Sequence, residues 1–245
     1  MRGLGPLQIH LWQYSIGDPL DARPLAHALT LLNDAEKRRA AAFHFDKHRA
    51  AYTLSHAMLR LVLSQYALVR PEEWQFLASP WGKPEIAAPA LDTALWFNLS
   101  HTDGFAVCVA GRVSQLGVDV ENVNRKISHD ELAQRYFAAA EYDYLRNLPF
   151  HLQREAFFRI WTLKEAYIKA EGKGLSIPLA SFSFRFSADN PAQVTFESSS
   201  ESNPDHWSFY EFQPAPDYRI SLAARNAGYA AFRVELLDAA PLLNG

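Results

Sequence analysis

An approximate internal repeat constrains the fold of this chain more than any other feature of its sequence. The segment TLSHAMLRL at 53–61 matches TLKEAYIKA at 162–170. In the same order, DGFAVCVAG at 103–111 resembles DYRISLAAR at 217–225. Each match alone is short enough to arise by chance, but their shared order predicts two similar lobes in one chain.

The predicted fold class is therefore α/β (α+β), with an N-terminal lobe at 1–115 and a C-terminal lobe at 116–245 related by pseudo-twofold symmetry. With 245 residues, the chain is long enough for one large domain or two small ones. Because ligands commonly bind where two lobes meet, we expect the active site at the lobe interface. A site formed within one chain favours a monomer.

Composition excludes several classes of protein. The formal net charge is −3, which does not favour nucleic-acid binding. Charges interrupt the apolar runs well before the ~20 residues that a membrane span requires. Cys108 is the single cysteine, so neither an intramolecular disulfide nor a cysteine zinc cluster is possible. The N-terminus has no signal-peptide pattern, and a cytoplasmic protein is the simplest interpretation.

The residue pattern predicts mixed helices and strands. Apolar residues recur at helical spacing over 46–69, and the Pro/Gly-rich segment 79–92 predicts a loop. Residues 96–122 follow a strand–turn–strand–turn–strand pattern. The other predicted elements are helices at 34–42, 128–146 and 150–171, and strands at 8–14 and near 181–186, 193–197, 206–213 and 218–224.

Two carboxylates lie two residues apart in the segment GVDVEN, at Asp119 and Glu121. Side chains alternate across a strand, so both project from the same face and repel each other. A bound cation would relieve that repulsion. Together with Glu165 they form an oxygen-only donor set, which suits Mg²⁺ or Mn²⁺ better than zinc.

Glu165 and Lys169 lie four residues apart in WTLKEAYIKAEGKGL and share one helix face. A surface ion pair contributing about 0.3–0.5 kcal/mol is the usual explanation for this spacing. Here Trp161, Leu163 and Tyr167 indicate a largely buried helix, in which a Glu and a Lys need partners. Both interpretations remain open at this point.

Polar residues in two further motifs are candidates for phosphate binding. SPWGKPEI holds Lys83 in a turn fixed by Gly82 and Pro84, and FNLSHT places Ser100 beside His101. The alternatives are a solvated loop lysine and polar residues that stabilise a turn. A Ser–His hydrolase is not favoured, because the sequence contains no GxSxG elbow.

The segment NDAEKRRAAAFHFDKHR at 33–49 is rich in basic residues, among them Lys47 and Arg49. A solvated helix face is the usual explanation for such a run. An anion-binding surface is the alternative, because a local cluster of positive charge attracts anions even on an acidic protein.

The motifs GKP, FNLSH, GVDVE and WTLKEAYIKAEGKGL, in this order, resemble the signatures of the 4′-phosphopantetheinyl transferases, in particular the longer, two-lobed class. The resemblance covers about residues 30–185 and, more loosely, the whole chain. It implies transfer of the phosphopantetheine arm of coenzyme A to a serine of an apo carrier protein, with release of 3′,5′-ADP and dependence on Mg²⁺.

The resemblance also implies a role for each matching residue. Asp119, Glu121 and Glu165 would hold Mg²⁺ (or Mn²⁺) against the pyrophosphate. Glu165 would also act as the base for the carrier serine, directly or through water, and Lys169 would stabilise the transferred phosphate. The coenzyme A contacts would be Lys47 and Arg49 at the 3′-phosphate, and Lys83, Pro84, Ser100 and His101 at the adenylate phosphates.

Carrier docking is predicted at the segment 124–145. Carriers of this kind, acyl or peptidyl, present their serine at the start of an acidic helix. Arg125 and Lys126 would supply a basic edge, and Tyr136 and Phe137 an apolar patch. The same resemblance implies that the carriers belong to fatty-acid or secondary-metabolite biosynthesis.

Two other functions remain as alternatives. A metal-dependent phosphohydrolase acting on a nucleotide diphosphate such as coenzyme A would use the same three carboxylates and lysine. A coenzyme-A-binding or carrier-binding module without catalysis would require a broken metal site. The second alternative ranks last, because all four of these side chains are present.

Overall fold

The structure of the chain is a computed structural model that divides into two compact units. The first contains Met1–Pro80, Pro84–Ser114 and Phe232–Gly245, and the second contains Trp81–Lys83 and Gln115–Ala231. These units differ from the expected lobes at residues 81–83, 115 and 232–245. The residues that the structure describes are 1–17, 21–187, 190–196, 203–226 and 231–244.

Helices and strands alternate irregularly along the chain, and this mixture confirms the predicted α/β class. The helices are α1 (Ala22–Leu31), α2 (Asp34–Ala41), α3 (Asp46–Leu63), α4 (His129–Tyr136), α5 (Ala139–Asn147), α6 (Phe150–Glu171) and α7 (Ala240–Leu243). The strands are β1 (Gln8–Ser15), β2 (Gln75–Ala78), β3 (Pro84–Ala88), β4 (Trp96–Thr102), β5 (Phe105–Gly111), β6 (Leu116–Asn122), β7 (Phe182–Ser187), β8 (Asn190–Phe196), β9 (Trp207–Phe212), β10 (Tyr218–Arg225) and β11 (Arg233–Asp238).

The first unit is built on a sheet with the strand order β11-β1-β5-β4. β5 is antiparallel to both of its neighbours, whereas β11 is parallel to β1. α3 packs against β4 and β5 through an apolar side that includes Leu54, Met58 and Val62. All seven residues of β5 are buried, which explains the continuous apolar run in that strand.

A buried ion pair joins two helices of the first unit. Arg60 of α3 is fully buried, and its Nη2 lies 2.8 Å from Oε2 of Glu36 in α2. Arg60 Nη1 donates to the carbonyl oxygens of Pro71 and Trp74, both at 2.9 Å. Glu36 also accepts from the backbone N–H of Asn33, which begins α2 with a capping box. The pair therefore fixes α2 and the segment after α3.

The second unit is built on an antiparallel sheet with the strand order β6-β10-β9. α6 packs along β6 and β10, and a separate hairpin pairs β7 with β8. The side of α6 turned away from β6 and β10 packs against the aromatic residues Phe137, Phe182 and Trp207. α6 is therefore covered on two sides, as the prediction of a largely buried helix required.

Several elements differ from the sequence predictions. The helix expected over 128–146 is two helices, because Phe137 and Ala138 have extended backbone. The helix expected over 46–69 ends at Leu63, and the loop expected at 79–92 contains β3. Residue 197, placed in a strand by the sequence pattern, lies outside the described residues. Within the described ranges, no helix combines the length and apolar character needed to cross a bilayer.

Candidate active site

The candidate site lies where α6 touches β6, at a contact closer than any side chain allows. A Cβ atom on Gly117 would lie 2.2 Å from the carbonyl oxygen of Ala166 and 2.4 Å from the backbone nitrogen of Ala170. One turn earlier in the helix, the hydroxyls of Thr162 and Ser221 are 2.8 Å apart. Glycine in the strand and alanines in the helix therefore bring the two backbones together.

Asp119 and Lys169 meet at this contact. Asp119 follows Gly117 by two residues and thus lies on the same side of β6, and Lys169 follows Ala166 along α6. Asp119 Oδ1 accepts from Lys169 Nζ at 2.6 Å, with side-chain exposures of 7% and 28%. Lys169 thus forms an ion pair with the strand.

Glu121 lies two residues after Asp119, on the same side of β6. Its side chain is 12% exposed, and Arg125 Nη1 lies 3.1 and 3.3 Å from its two carboxylate oxygens. Burial raises the pKa of Glu121, and the neighbouring charge of Asp119 raises that pKa further. The cations of Arg125 and Lys169 act in the opposite direction.

Glu165 completes the cluster from α6. Burial raises the pKa of Glu165 to about 7, and the charges of Asp119 and Glu121 add to that effect, while Lys169 opposes it. The structure therefore brings together the four residues that the sequence predicted: Asp119, Glu121, Glu165 and Lys169. A carboxyl with a pKa near neutral is suited to accept a proton at physiological pH.

The donor set of this cluster fits a hard divalent cation. Among the described residues, no group of three or more His, Cys, Asp or Glu side chains is placed so that it could hold a metal ion. The fit is instead chemical: the pKa of Glu121 and that of Glu165 are raised in part by neighbouring carboxylates. Such mutual repulsion is what an oxygen-coordinated cation relieves.

Lys83 belongs to the second unit and binds backbone atoms of that unit. Its Nζ donates to the carbonyl oxygens of Leu116 and Ala170, both at 3.1 Å. Gly82 has φ +87°, and Pro84 begins β3 and is exposed. Lys83 thus binds backbone at the last turn of α6, where carbonyl groups lack helical partners. Lys83 is therefore not the freely solvated loop lysine that the sequence left as an alternative.

Three of the candidate phosphate residues of the first unit, Lys47, Ser100 and His101, lie on β4 or beside the β4–β5 turn. Ser100 is buried in β4, and His101 is exposed beside it. Lys47, at the start of α3, binds Asp103 of the turn at 2.8 Å. Arg49 pairs with Asp46 at 2.9 Å and donates to the carbonyl oxygen of Phe43. Lys47 is thereby held close to the strand end that carries His101.

The predicted docking residues separate into two groups. Arg125 is exposed although it binds Glu121, and Lys126 is exposed as well. Phe137 is only 5% exposed, because its ring stacks on Phe157 at 5.3 Å in the core. The prediction that Phe137 offers a docking surface is therefore wrong. Tyr136 is partly exposed and packs edge-on against Trp161.

Two contributors to the site escaped the sequence analysis. The contact between Glu121 and Arg125 had no sequence signal, because an i,i+4 spacing brings side chains together in a helix, whereas Glu121 lies at the end of a strand. Gly117 had a weak signal: a glycine in an apolar strand indicates close approach of another backbone. The small residues of the helix that it meets, Ala166 and Ala170, could not be assigned to it without the fold.

Sequence comparisons relate the chain to known proteins. Residues 18–113 match a family model described as 4′-phosphopantetheinyl transferase, N-terminal, and residues 115–223 match one described as 4′-phosphopantetheinyl transferase superfamily. The 4′-phosphopantetheinyl transferase HetI of Nostoc sp. is 32% identical over 222 residues, covering 91% of this chain and 90% of HetI. The 4′-phosphopantetheinyl transferase Sfp of Bacillus subtilis is 29% identical over 211 residues, covering 86% and 90%.

A third relative, the 4′-phosphopantetheinyl transferase ffp of Bacillus subtilis, is 35% identical over 191 residues, covering 78% of this chain and 81% of ffp. These matches span both units and confirm the resemblance drawn from the motifs. The chain belongs to the 4′-phosphopantetheinyl transferase family and is an enzyme of that class.

Proposed function

We propose that this enzyme transfers the 4′-phosphopantetheine group of coenzyme A to a serine of an apo carrier protein and releases 3′,5′-ADP. The observation that carries the proposal is the cluster at the β6–α6 contact, where Asp119, Glu121, Glu165 and Lys169 converge. The names of the relatives, all 4′-phosphopantetheinyl transferases, support the same reaction.

The three carboxylates would hold Mg²⁺, with Mn²⁺ as a substitute. When bound, the cation neutralises charge on the diphosphate of coenzyme A and on the departing 3′,5′-ADP. Asp119, Glu121 and Glu165 supply oxygen ligands only, as such a cation prefers. The crowding that raises the pKa of Glu121 and of Glu165 supports this assignment, because the cluster has more negative charge than its two cations offset.

Glu165 is the proposed base. Its carboxylate would accept the proton of the carrier serine, directly or through a water molecule. The serine oxygen then forms a bond to the phosphorus of the phosphopantetheine group. The P–O bond to the adenylate half breaks, and its electron pair leaves with 3′,5′-ADP.

Lys169 is the proposed electrostatic partner of the transferred phosphate. Its ammonium is a fixed positive charge at the contact of β6 and α6, and its position is set by the 2.6 Å bond to Asp119. A charge that is already in place stabilises the transition state without reorganisation. Asp119 thus has two proposed tasks, to bind the cation and to orient Lys169.

The proposed coenzyme A contacts follow the family resemblance. Lys47 and Arg49 are assigned to the 3′-phosphate, which distinguishes coenzyme A from simple ADP derivatives. Lys47 binds Asp103 of the β4–β5 turn, which supports a common anion site for Lys47 and His101. The remaining assigned contacts are Lys83, Pro84 and Ser100.

Arg125 and Lys126 are the proposed docking residues for the acidic helix of a carrier. Both are exposed and lie within four residues of the end of β6, so a carrier bound there would place its serine near the carboxylate cluster. Tyr136 is the apolar candidate that remains after the burial of Phe137. Acyl and peptidyl carriers are both proposed substrates, and a cytoplasmic monomer is the proposed form of the enzyme.

The internal repeat also supports the proposal of two related lobes. In the first unit α3 packs on β5, and in the second α6 packs on β10. The repeated segments coincide with these two helix–strand pairs, and each strand is the central partner of an antiparallel trio.

The direct test is to incubate the enzyme with coenzyme A, Mg²⁺ and an apo acyl carrier protein or an apo peptidyl carrier protein. Intact-mass spectrometry of the carrier should show the addition of one phosphopantetheine, and EDTA should prevent it. Consumption of coenzyme A in a reaction that contains no carrier would instead establish the phosphohydrolase. Unmodified carriers of both kinds would contradict the proposed transfer.

A further inference from the structure

Lys164, the residue before Glu165, is a fully buried cation that the proposed reaction does not use. Its Nζ lies 2.7 Å from Glu141 Oε2 and donates at 2.7 Å to the carbonyl oxygens of Leu179 and Phe182. An ammonium has three N–H donors, and these three acceptors match that number.

Glu141 extends this network into α5 and β7. Its Oε1 accepts the backbone N–H of Phe184 at 2.8 Å, and its Oε2 accepts at 3.0 Å the backbone N–H of Ala138, the residue before α5. One lysine and one glutamate therefore join α5, α6 and the first residues of β7. Side-chain exposures of 0% and 2% keep the network out of water.

The network holds the side of α6 opposite to the candidate site. Thr162 and Ala166 face the sheet, and Lys164 is two residues, or 200° of helical rotation, from each of them. The other contacts on that side are mainly between aromatic rings such as Tyr167 and Phe182. Apolar contacts are non-directional, whereas hydrogen bonds fix direction.

We propose that Lys164 is a positioning residue: its bonds to Glu141, Leu179 and Phe182 set the rotation of α6 and thereby the placement of Glu165 and Lys169 against β6. This inference rests on the proposed function of the β6–α6 cluster. A small rotation of α6 moves both side chains relative to Asp119, and catalysis is sensitive to displacements of that size.

The chain offers a closely matched control in the first unit. Arg60 is also a fully buried cation bound to a glutamate and two backbone carbonyl oxygens. Its partner Glu36 is also the third residue of a helix and accepts the backbone N–H of the residue before that helix, as Glu141 does. Loss of either ion pair damages a buried network of the same kind, but only the pair of Lys164 and Glu141 holds α6.

The experiment compares Lys164→Met with Arg60→Met, and the milder Glu141→Gln with Glu36→Gln, at a temperature where circular dichroism shows each variant to be folded. We expect kcat for transfer to fall at least ~10-fold in both α6-side variants, with KM for the carrier unchanged within ~2-fold. The first-unit variants should keep kcat within ~3-fold. Mn²⁺ binding, followed by electron paramagnetic resonance, should weaken only in the α6-side variants.

Equal losses in the two matched pairs, or full kcat and full Mn²⁺ affinity in Glu141→Gln, would overturn the positioning role. The glutamine variants keep an acceptor oxygen at each site, so the comparison holds even if the methionine variants do not fold. Failure of the proposed function has a different signature, since the wild-type enzyme itself would then leave the carrier unmodified.

Discussion

Asp119 Oδ1 and Lys169 Nζ lie 2.6 Å apart although fifty residues separate them in the chain. This bond connects the strand that carries two of the carboxylates to the helix that carries the third. It exists because α6 and β6 meet backbone to backbone at Gly117. The chemistry proposed for the cluster therefore depends on a backbone packing contact between glycine and alanine residues that take no part in the reaction.

Gly117→Ala tests that dependence. The new methyl group would collide with the backbone of Ala166 and Ala170, which cannot turn away as a flexible side chain would. We expect α6 to move off β6, unfolding free energy to fall by about 3 kcal/mol, and transfer to fall more than stability explains. Urea denaturation and the transfer assay measure the two effects.

Gly3→Ala is the matched control for that substitution, because a Cβ on Gly3 would meet nothing within 4 Å. Its stability and activity should equal those of the wild type. A Gly117→Ala enzyme with wild-type stability and rate would show that the close approach is unnecessary.

Lys169→Ala should reduce kcat by about 100-fold, in the range found when one preorganised electrostatic group is removed. KM for coenzyme A should change much less, because the proposed contact strengthens in the transition state. Lys169→Arg retains a positive charge and should recover part of the rate. Steady-state kinetics decide: a loss confined to KM for coenzyme A would assign Lys169 to substrate binding instead.

Charge reversal should separate carrier docking from the site. Lys126→Glu should raise KM for the carrier by about 10-fold and leave Mn²⁺ binding unchanged, because Lys126 is an exposed rim charge. Arg125→Glu should affect both quantities, because it places a carboxylate beside Glu121 where a guanidinium now lies. Identical profiles for the two variants would refute this division of roles.

His56 should make the first unit sensitive to acid. Burial lowers the pKa of His56 from 6.5 to about 4, while the usual value applies in the unfolded chain. The unfolded state then binds more protons as the pH falls from about 6.5 to 4, so stability is lost over that window by at most about 1.4 kcal/mol per pH unit. Urea midpoints between pH 4 and 7 measure the slope.

His56→Gln should give a shallower dependence on pH over that window, and His48→Gln should not, because His48 is exposed. Slopes that are the same in His56→Gln and in the wild type would exclude His56 as the source of the acid sensitivity.

Local patterns in the sequence were enough to predict the elements around the site. The bounds of α6 were predicted as 150–171, because helical spacing ran without interruption to Gly172, which adopts φ +72° at the helix end. The strand–turn–strand–turn–strand pattern of residues 96–122 predicts β4, β5 and β6. The grouping of Asp119, Glu121, Glu165 and Lys169 came from motif resemblance, not from spacing alone.

The remaining parts of the fold and of the site depend on contacts between residues far apart in the chain, which the sequence does not reveal. β11 pairs in parallel with β1 at the other end of the chain, so no hairpin signal marks it. The break between α4 and α5 depends on Glu141 capping an alanine, Ala138, which is not a residue that signals a helix start. No sequence pattern indicates the contacts of Lys164, because two of its three acceptors are backbone carbonyl oxygens, which leave no trace in a sequence.

The most direct test of the central claim compares wild type with Asp119→Asn in transfer to an apo carrier, followed by intact mass with Mg²⁺ at saturating coenzyme A. The substitution keeps the shape of the side chain but removes the charge that binds Lys169 and would bind the cation. We predict complete conversion by the wild type and at least a ~100-fold slower reaction in the variant. An Asp119→Asn enzyme that modifies the carrier at the wild-type rate would contradict the assignment of the active site to the β6–α6 contact.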